Sequence, residues 1–164
     1  MPRRLVALVL LAACDTHGSR QTGGPPVDFT IGGIAFHLSD GAAVIPSGGG
    51  ITFYLSDQPN ACMALQFVPV GTATTFMLHV SPPLDGTTKA TVVAKTAAQP
   101  GEAVGSLSRA TGGRQDTSIA ASDGSLSWTA NAEGSYALTS IDVGFAGTTD
   151  RLTTSSLTLR ACKP

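Results

Sequence analysis

The feature that most constrains the fold of this chain is a recurring alternation of apolar and polar residues with a period of two. In ITFYLS (51–56), Ile51, Phe53 and Leu55 fall on one side of an extended chain, and the intervening residues fall on the other. The same alternation recurs in TFMLHV (75–80), TVVAK (91–95), AVGSLS (103–108), SLSWTA (125–130), SYALTSID (135–142) and SSLTLRAC (155–162). A period of two is typical of half-buried β-strands, because successive side chains of a strand point to opposite faces. No segment of helical length shows apolar residues at i, i+3 and i+4, so the sequence predicts strands rather than helices.

Residues that favour tight turns separate these segments. The turn formers are Asp40-Gly41, 47–50, Pro82-Pro83, Asp85-Gly86, 99–101, Gly112-Gly113, Asp123-Gly124 and Glu133-Gly134. Asp-Gly between two alternating segments is a strong hairpin signal, because a type I′ turn requires positive φ at both central residues. We therefore predict a hairpin over residues 118–128 with Asp123-Gly124 at its tip. Residues 62–68 have the composition of one helical turn, which Pro69 would end.

Short strands, frequent turns and the lack of helices for parallel crossovers predict an all-β domain over residues 27–164. The predicted architecture is a single antiparallel β-sandwich, jelly-roll or immunoglobulin-like, with a barrel as the alternative. Residues 133–136 are similar to the approach to the tyrosine corner of immunoglobulin-like sandwiches. The chain departs from that pattern because Leu138 stands where those domains carry a cysteine.

The length and charge of the chain indicate one domain and argue against a nucleic-acid-binding protein. A chain of 164 residues suits one domain with a hydrophobic core. Only 13% of the residues are charged and the formal net charge is −1. Nucleic-acid binding usually requires a basic stripe, so we do not expect a nucleic-acid partner.

The first 13 residues have the composition of a secretory signal peptide. Arg3 and Arg4 precede an apolar stretch over residues 5–13, which is too short to span a bilayer. The sequence Leu11-Ala12-Ala13-Cys14 resembles the lipobox of bacterial lipoproteins. The resemblance implies cleavage before Cys14 and attachment of acyl chains to that residue, including a diacylglycerol on its thiol. Residues 14–26 would then form a flexible tether.

The three cysteines divide into a lipid site and a pair. If Cys14 carries lipid, Cys62 and Cys162 remain to form one disulfide in an oxidising compartment. A redox or metal-binding pair is the alternative, although the chain contains no C-x-x-C spacing. Residues 134–162 are also similar to the ending of many uncharacterised, β-rich bacterial lipoproteins. That resemblance implies a sandwich and a disulfide at Cys162, and it implies no activity.

The sequence contains no strong catalytic or metal-binding pattern. The histidines, His17, His37 and His79, form no H-x-H or H-x-x-x-H pair, so we expect no metal and no cofactor. Loop aspartates lack the spacing of a calcium loop, and no G-x-S-x-G motif is present. Among the large aromatic residues with polar atoms, Trp128, Tyr136 and Tyr54, we predict Tyr54 as an exposed contact.

These observations lead to an expectation about function. We expect a lipid-anchored protein of the bacterial cell envelope, with the outer membrane or cell surface favoured over the inner membrane. Its β-domain would be a non-enzymatic binding or structural module with a protein or glycan partner. The alternative is an envelope hydrolase with catalytic residues on loops, which a cleft with two carboxylates, or a serine beside His37 or His79, would favour.

Overall fold

The strands follow the alternation of the sequence closely. The computed structural model describes residues 27–65, 71–84, 86–131 and 134–162. Within these residues the chain forms eleven strands and one short helix. The elements are β1 (Asp28–Ile31), β2 (Ile34–His37), β3 (Asp40–Val44), β4 (Ile51–Ser56), α1 (Ala61–Ala64), β5 (Thr72–Val80), β6 (Lys89–Val93), β7 (Glu102–Thr111), β8 (Arg114–Ala130), β9 (Ser135–Phe145), β10 (Arg151–Thr154) and β11 (Leu157–Cys162). The predicted all-β class is therefore confirmed.

The apolar face of each predicted strand points into a common core. In β4, Ile51, Phe53 and Leu55 are each at most 1% exposed. The corresponding residues of the other predicted strands are also buried, namely Phe76, Leu78, Val80, Val92, Leu107, Leu126, Trp128, Leu138, Leu157 and Leu159. A one-residue shift of register would turn each of these sets toward water, so burial of one face determines the strand register.

The large sheet closes into a ring of hydrogen-bonded strands. Its order is β10-β9-β11-β3-β4-β5-β7-β6-β8, and β8 pairs additionally with both β7 and β9. The ring therefore runs through β8, β9, β11, β3, β4, β5 and β7 and returns to β8. This closure gives the all-β fold a barrel-like form with the apolar side chains inside.

Most strand pairs are antiparallel, as predicted, but two pairings among the described residues are parallel. Strand β11 pairs with β3 at three positions, and β6 pairs with β7 at two. The antiparallel prediction rested on the rule that parallel neighbours need a long crossover connection, usually a helix, and these two short pairings are additions to it. Strand β3 lies near the start of the domain and β11 lies at its end. Nearly the whole domain therefore forms the connection between these two parallel strands.

Asp123-Gly124 is not the tip of a hairpin. Strand β8 runs continuously through it over 17 residues, with a register irregularity between Ala121 and Asp123. Here β8 exchanges one neighbour, β7, for another, β6. Gly124 has φ 123° and pairs with Val143 directly after the irregular segment. Its positive φ therefore belongs to a continuous strand beside a bulge, not to a turn.

Asp40-Gly41 is also not a turn, because both residues are buried at the beginning of β3. The Asp40 carboxylate accepts hydrogen bonds from the Gly41 N–H (2.8 Å) and the Ala61 N–H (2.8 Å), and it pairs with Arg160. The Asp40 carboxylate, which the sequence placed in a turn, instead has three hydrogen-bonding partners inside the fold.

The remaining N-terminal predictions concern a part of the chain that lies outside the described residues. These are the signal peptide over 1–13, lipid-bearing Cys14 and the tether over 14–26. In the part of the chain that the structure describes, no helix is long and apolar enough to cross a membrane.

Candidate functional site

The candidate site is built on a two-stranded hairpin, β1–β2, which is separate from the large sheet. Gly32 and Gly33 form its turn, with φ of 53° and 80°. Positive φ at both central residues is the requirement of a type I′ turn, which matches the right-handed twist of the strands. In the register of the hairpin, Asp28 lies opposite His37 and Thr30 lies opposite Ala35.

The two faces of the hairpin have different surroundings. Ile31, Ile34 and Phe36 are at most 5% exposed and belong to the main core. The alternating partners, Asp28, Thr30, Ala35 and His37, are exposed. The hairpin therefore covers part of the core with one face and presents polar groups to solvent with the other.

Contacts at both ends hold the hairpin in place. At the tip, the Gly32 N–H donates to Asp150 Oδ2 at 2.9 Å, and this bond lowers the pKa of the Asp150 carboxyl below its ordinary value. A β-carbon at Gly32 would lie 2.5 Å from Ile119 Cδ1, so the turn packs closely on β8. At the base, the Leu38 N–H donates to the Val27 carbonyl at 2.9 Å, and the side chains of both residues are buried in the main core. The polar face is thus presented by a fixed support.

A shallow cleft of about 440 Å³ lies along this hairpin. Its lining, which we call the hairpin cleft, consists of Asp28, Phe29, Thr30, Ala35, Phe36, His37 and Asp57. The rings of Phe29 and Phe36 stack with centroids 4.7 Å apart. Phe36 is buried and Phe29 is half-buried, so Phe29 supplies most of the aromatic surface that this polar-rimmed cleft exposes.

The polar groups of the hairpin cleft are mainly hydrogen-bond acceptors. Asp28 Oδ1 accepts a hydrogen bond from His37 Nδ1–H, and both side chains are largely exposed. The Asp57 side chain is half-buried and accepts from Gln58 Nε2 at 3.3 Å. No lysine or arginine is found among the described residues that line the cleft. The cleft therefore suits groups that donate hydrogen bonds, such as ammonium, guanidinium or hydroxyl groups, and it repels anions.

A second cavity of about 330 Å³ lies on the β10 side of β1. It shares Asp28 and Phe29 with the hairpin cleft and includes Arg151. The guanidinium of Arg151 is already paired, with Asp142 Oδ1 at 2.8 Å from Nε and Asp123 Oδ1 at 2.6 Å from Nη1. These bonds raise the pKa of Arg151, and the pairing with Arg151 lowers the pKa of Asp123. The positive charge beside this cavity is thus largely compensated.

The structure joins the two cysteines that were predicted to pair. Cys62 in α1 is bonded to Cys162 at the end of β11, with a Cα–Cα distance of 5.5 Å. The disulfide closes a sequence separation of 100 residues. It lies away from the lining of the hairpin cleft and ties α1 to the last strand.

The prediction that Tyr54 is an exposed contact was wrong. Tyr54 is 7% exposed and packs with Ala42 and Ala61. Burial raises the pKa of its hydroxyl group. The sequence places Tyr54 on the outer face of β4, but the α1 segment covers that face, which strand periodicity alone does not show.

Of the other side chains named in the sequence analysis, His79, Trp128 and Tyr136 have structural roles. His79 is half-buried and forms a hydrogen bond with Thr52 Oγ1 through Nδ1 at 3.0 Å. The two residues lie directly opposite each other in β5 and β4, so this is a cross-strand pair. Trp128 belongs to the core and Tyr136 packs against it. His17 lies outside the described residues, and His37 belongs to the hairpin cleft.

Asp28 and Phe29 were not singled out from the sequence, and Asp57 was considered only as one of the loop aspartates without calcium-loop spacing. The signal for the hairpin was present, since two short alternating segments, DFTI and IAFH, flank Gly32-Gly33. No comparable signal was available for Asp57, which comes from the end of β4 and reaches the cleft only through the tertiary fold.

Two searches for known features gave negative results. Among the described residues, no three His, Cys, Asp or Glu side chains are grouped so that they could hold a metal ion. Comparison of the chain with protein-family models, with curated proteins and with solved structures gave no match.

Proposed function

We propose that this chain is a lipid-anchored protein of the bacterial cell envelope whose β-domain binds a ligand or partner without catalysis. The observation that supports binding is the hairpin cleft, where half-buried Phe29 lies beside two carboxylates that have no lysine or arginine partner in the lining. A concave apolar surface with a few polar groups at its rim is the usual form of a small-ligand site.

The proposed anchoring rests on the sequence Leu11-Ala12-Ala13-Cys14 and is supported by the disulfide. Disulfides persist mainly in oxidising compartments, which agrees with export. Two or more acyl chains make membrane attachment stable. The tether would lead to Val27, the residue before Asp28 of the cleft. A flexible tether of this length reaches about 20 Å, so the cleft would stand near the membrane surface.

Mass spectrometry of the mature protein tests the anchoring. We expect an acylated Cys14 as the first residue, together with a mass lower by two hydrogens for the Cys62–Cys162 bond. The control is Cys14→Ser, which should remain unacylated and leave the membrane fraction. An unmodified chain that begins at Met1 and is found in the cytosol would contradict the proposal.

The charge of the hairpin cleft predicts its preferred ligands. We expect the lipidated protein in detergent micelles to bind cationic or neutral probes, namely arginine-containing dipeptides, glucosamine or N-acetylglucosamine, rather than sulfated sugars. Asp57→Asn should weaken binding of a cationic probe about tenfold, because it removes one charge-assisted hydrogen bond. Isothermal titration calorimetry would measure both effects.

A matched control for this experiment lies on another surface. Asp116 is exposed on β8, and its carboxylate accepts a hydrogen bond from Thr111 Oγ1 at 2.6 Å. Asp116→Asn changes the net charge by the same amount as Asp57→Asn and should leave binding unchanged. Equal losses in both variants would indicate a general charge effect, and saturable binding of none of the probes would contradict the binding proposal.

The hairpin cleft also gives the hydrolase alternative a specific basis. Asp28 holds the Nδ1 side of His37, which leaves Nε2 free, and a second carboxylate, Asp57, lines the same cleft. An Asp-oriented imidazole can act as a general base toward water. Under this alternative, wild-type protein would hydrolyse a panel of nitrophenyl esters or glycosides, and His37→Gln would abolish turnover. Turnover that His37→Gln does not reduce would exclude this dyad.

A further inference from the structure

Two links join the same two segments of the chain, one covalent and one ionic. The covalent link is the Cys62–Cys162 disulfide. The ionic link is Asp40, whose Oδ2 accepts from the Ala61 N–H at 2.8 Å and from Arg160 Nη2. Ala61 is the residue before Cys62, and Arg160 stands two residues before Cys162. The Asp40 carboxylate therefore reinforces, from the protein interior, the connection that the disulfide makes nearer the surface.

Both links lie where the ring of strands closes between β3 and β11. This parallel junction has three residue pairs, Arg160–Ala42, Ala161–Ala43 and Cys162–Val44. On its other side, β11 pairs with β9 only up to Arg160. Beyond that residue, the strand end is held by β3, by one hydrogen bond from the Ala161 N–H to the Gly134 carbonyl (3.2 Å), and by the disulfide. The strand end is thus the least supported part of the ring closure.

The two links differ in burial. Asp40 is 6% exposed and carries a charge, so removing its partner would leave a buried carboxylate uncompensated. Both cysteines are half-buried, and their neighbour Met63 is 57% exposed. A small reductant therefore has a route to the disulfide, whereas the Asp40 carboxylate is buried and its partner Arg160 is half-buried.

We infer that the Cys62–Cys162 bond is a redox-controlled clasp. Its reduction frees residues 62–65 and the end of the β3–β11 junction, while Asp40 keeps Ala61 and Arg160 in place and the rest of the ring closed. The reductant is a dithiol. One of its thiolates attacks a cysteine sulfur and breaks the S–S bond to give a mixed disulfide, and its second thiol resolves that intermediate. Cys62 and Cys162 gain two electrons and two protons in total, and the dithiol leaves as a cyclic disulfide.

Opening the clasp would change the surface of the protein. Helix α1 covers Ala42 and Tyr54, which form a small apolar cluster with Ala61 beneath the disulfide. Movement of residues 62–65 and of the end of β11 would uncover Tyr54 and the edge of β3 at Ala43 and Val44. An exposed strand edge beside apolar side chains is a surface on which another strand can pair.

Hydrogen–deuterium exchange of the full chain, oxidised and after treatment with dithiothreitol, tests this inference. We expect backbone amides of 62–65 and 161–162 to exchange at least about tenfold faster after reduction, with Ala61, β8 and β9 unchanged. Cys62→Ser with Cys162→Ser should reproduce the reduced pattern without reductant. Unchanged exchange in both segments would overturn the inference, as would faster exchange of all strands together, which would indicate global unfolding.

The variant Arg160→Gln tests the ionic link independently of the disulfide. In the oxidised variant the disulfide should keep the strand end closed, so exchange of 160–162 should stay within about twofold of the wild type. In the reduced variant, faster exchange should spread into β3 and the rest of β11. Failure of exchange to spread would overturn the role given to Asp40–Arg160. None of these outcomes depends on ligand binding at the hairpin cleft.

Discussion

Replacement of Trp128 by alanine is expected to lower the free energy of unfolding by about 3–5 kcal/mol. Trp128 is 4% exposed, and its ring lies 5.5 Å from that of Phe53 at an interplanar angle of 58°. Phe53 also meets Tyr136 edge-to-face at 6.3 Å. Trp128 lies on β8 and Phe53 on β4, which are not neighbours in the sheet, so this contact crosses the core. Alanine would remove this contact and leave a cavity between opposite sides of the closed sheet.

Chemical denaturation followed by far-ultraviolet circular dichroism measures this effect. Trp128 is the single tryptophan of the chain, so its fluorescence cannot report on the alanine variant. Trp128→Phe is the matched control, and it should cost less than half as much because an aromatic ring still faces Phe53. An alanine variant within about 1 kcal/mol of the wild type would contradict the proposed role of Trp128 in the core.

Replacement of Gly124 by alanine is expected to cost about 3 kcal/mol for two separate reasons. The φ of 123° is a conformation that residues with a side chain rarely adopt. A β-carbon at this position would also collide with the Asp142 carbonyl oxygen of the neighbouring strand β9. Since that oxygen belongs to the backbone, relief would require β8 and β9 to move apart where β8 changes its partner.

Gly112→Ala separates the conformational cost from the collision. Gly112 has φ 57° in the turn between β7 and β8, and a β-carbon there would meet no atom within 4 Å. Its cost should be about 1–2 kcal/mol, because only the left-handed conformation is penalised. Equal unfolding free energies for the two alanine variants would show that close packing of β8 on β9 contributes nothing.

The strands and their buried faces were largely predictable from local pattern. Seven predicted segments lie in strands, and their alternating apolar residues are buried. The Cys62–Cys162 pairing followed from counting cysteines once Cys14 was assigned to lipid. Strands β1, β2, β3 and β10 were not predicted. The signal around Gly32-Gly33 was overlooked, and β3 is buried on both faces, so it shows no alternation.

The structural role of individual residues was less predictable from the sequence. Asp123-Gly124 has the composition of a hairpin turn, yet β8 runs straight through it beside a bulge, and only strand pairing distinguishes the two arrangements. Tyr54 has the periodicity of an outward-facing residue, yet α1 returns over that face and buries it. In both cases the structural role of the residue was determined by a segment that is distant in sequence.

The sequence by itself determined the all-β class, the inward face of most strands, and the pairing of Cys62 with Cys162. These features depend on the period of two and on residue types, which are local properties of the chain. Only the tertiary structure decided that the sheet closes through a parallel junction of β3 with β11, and that Asp57 meets Asp28 and His37 at one cleft. Those contacts join residues far apart in sequence, and their formation depends on which strands pair, which is set by packing of the whole core.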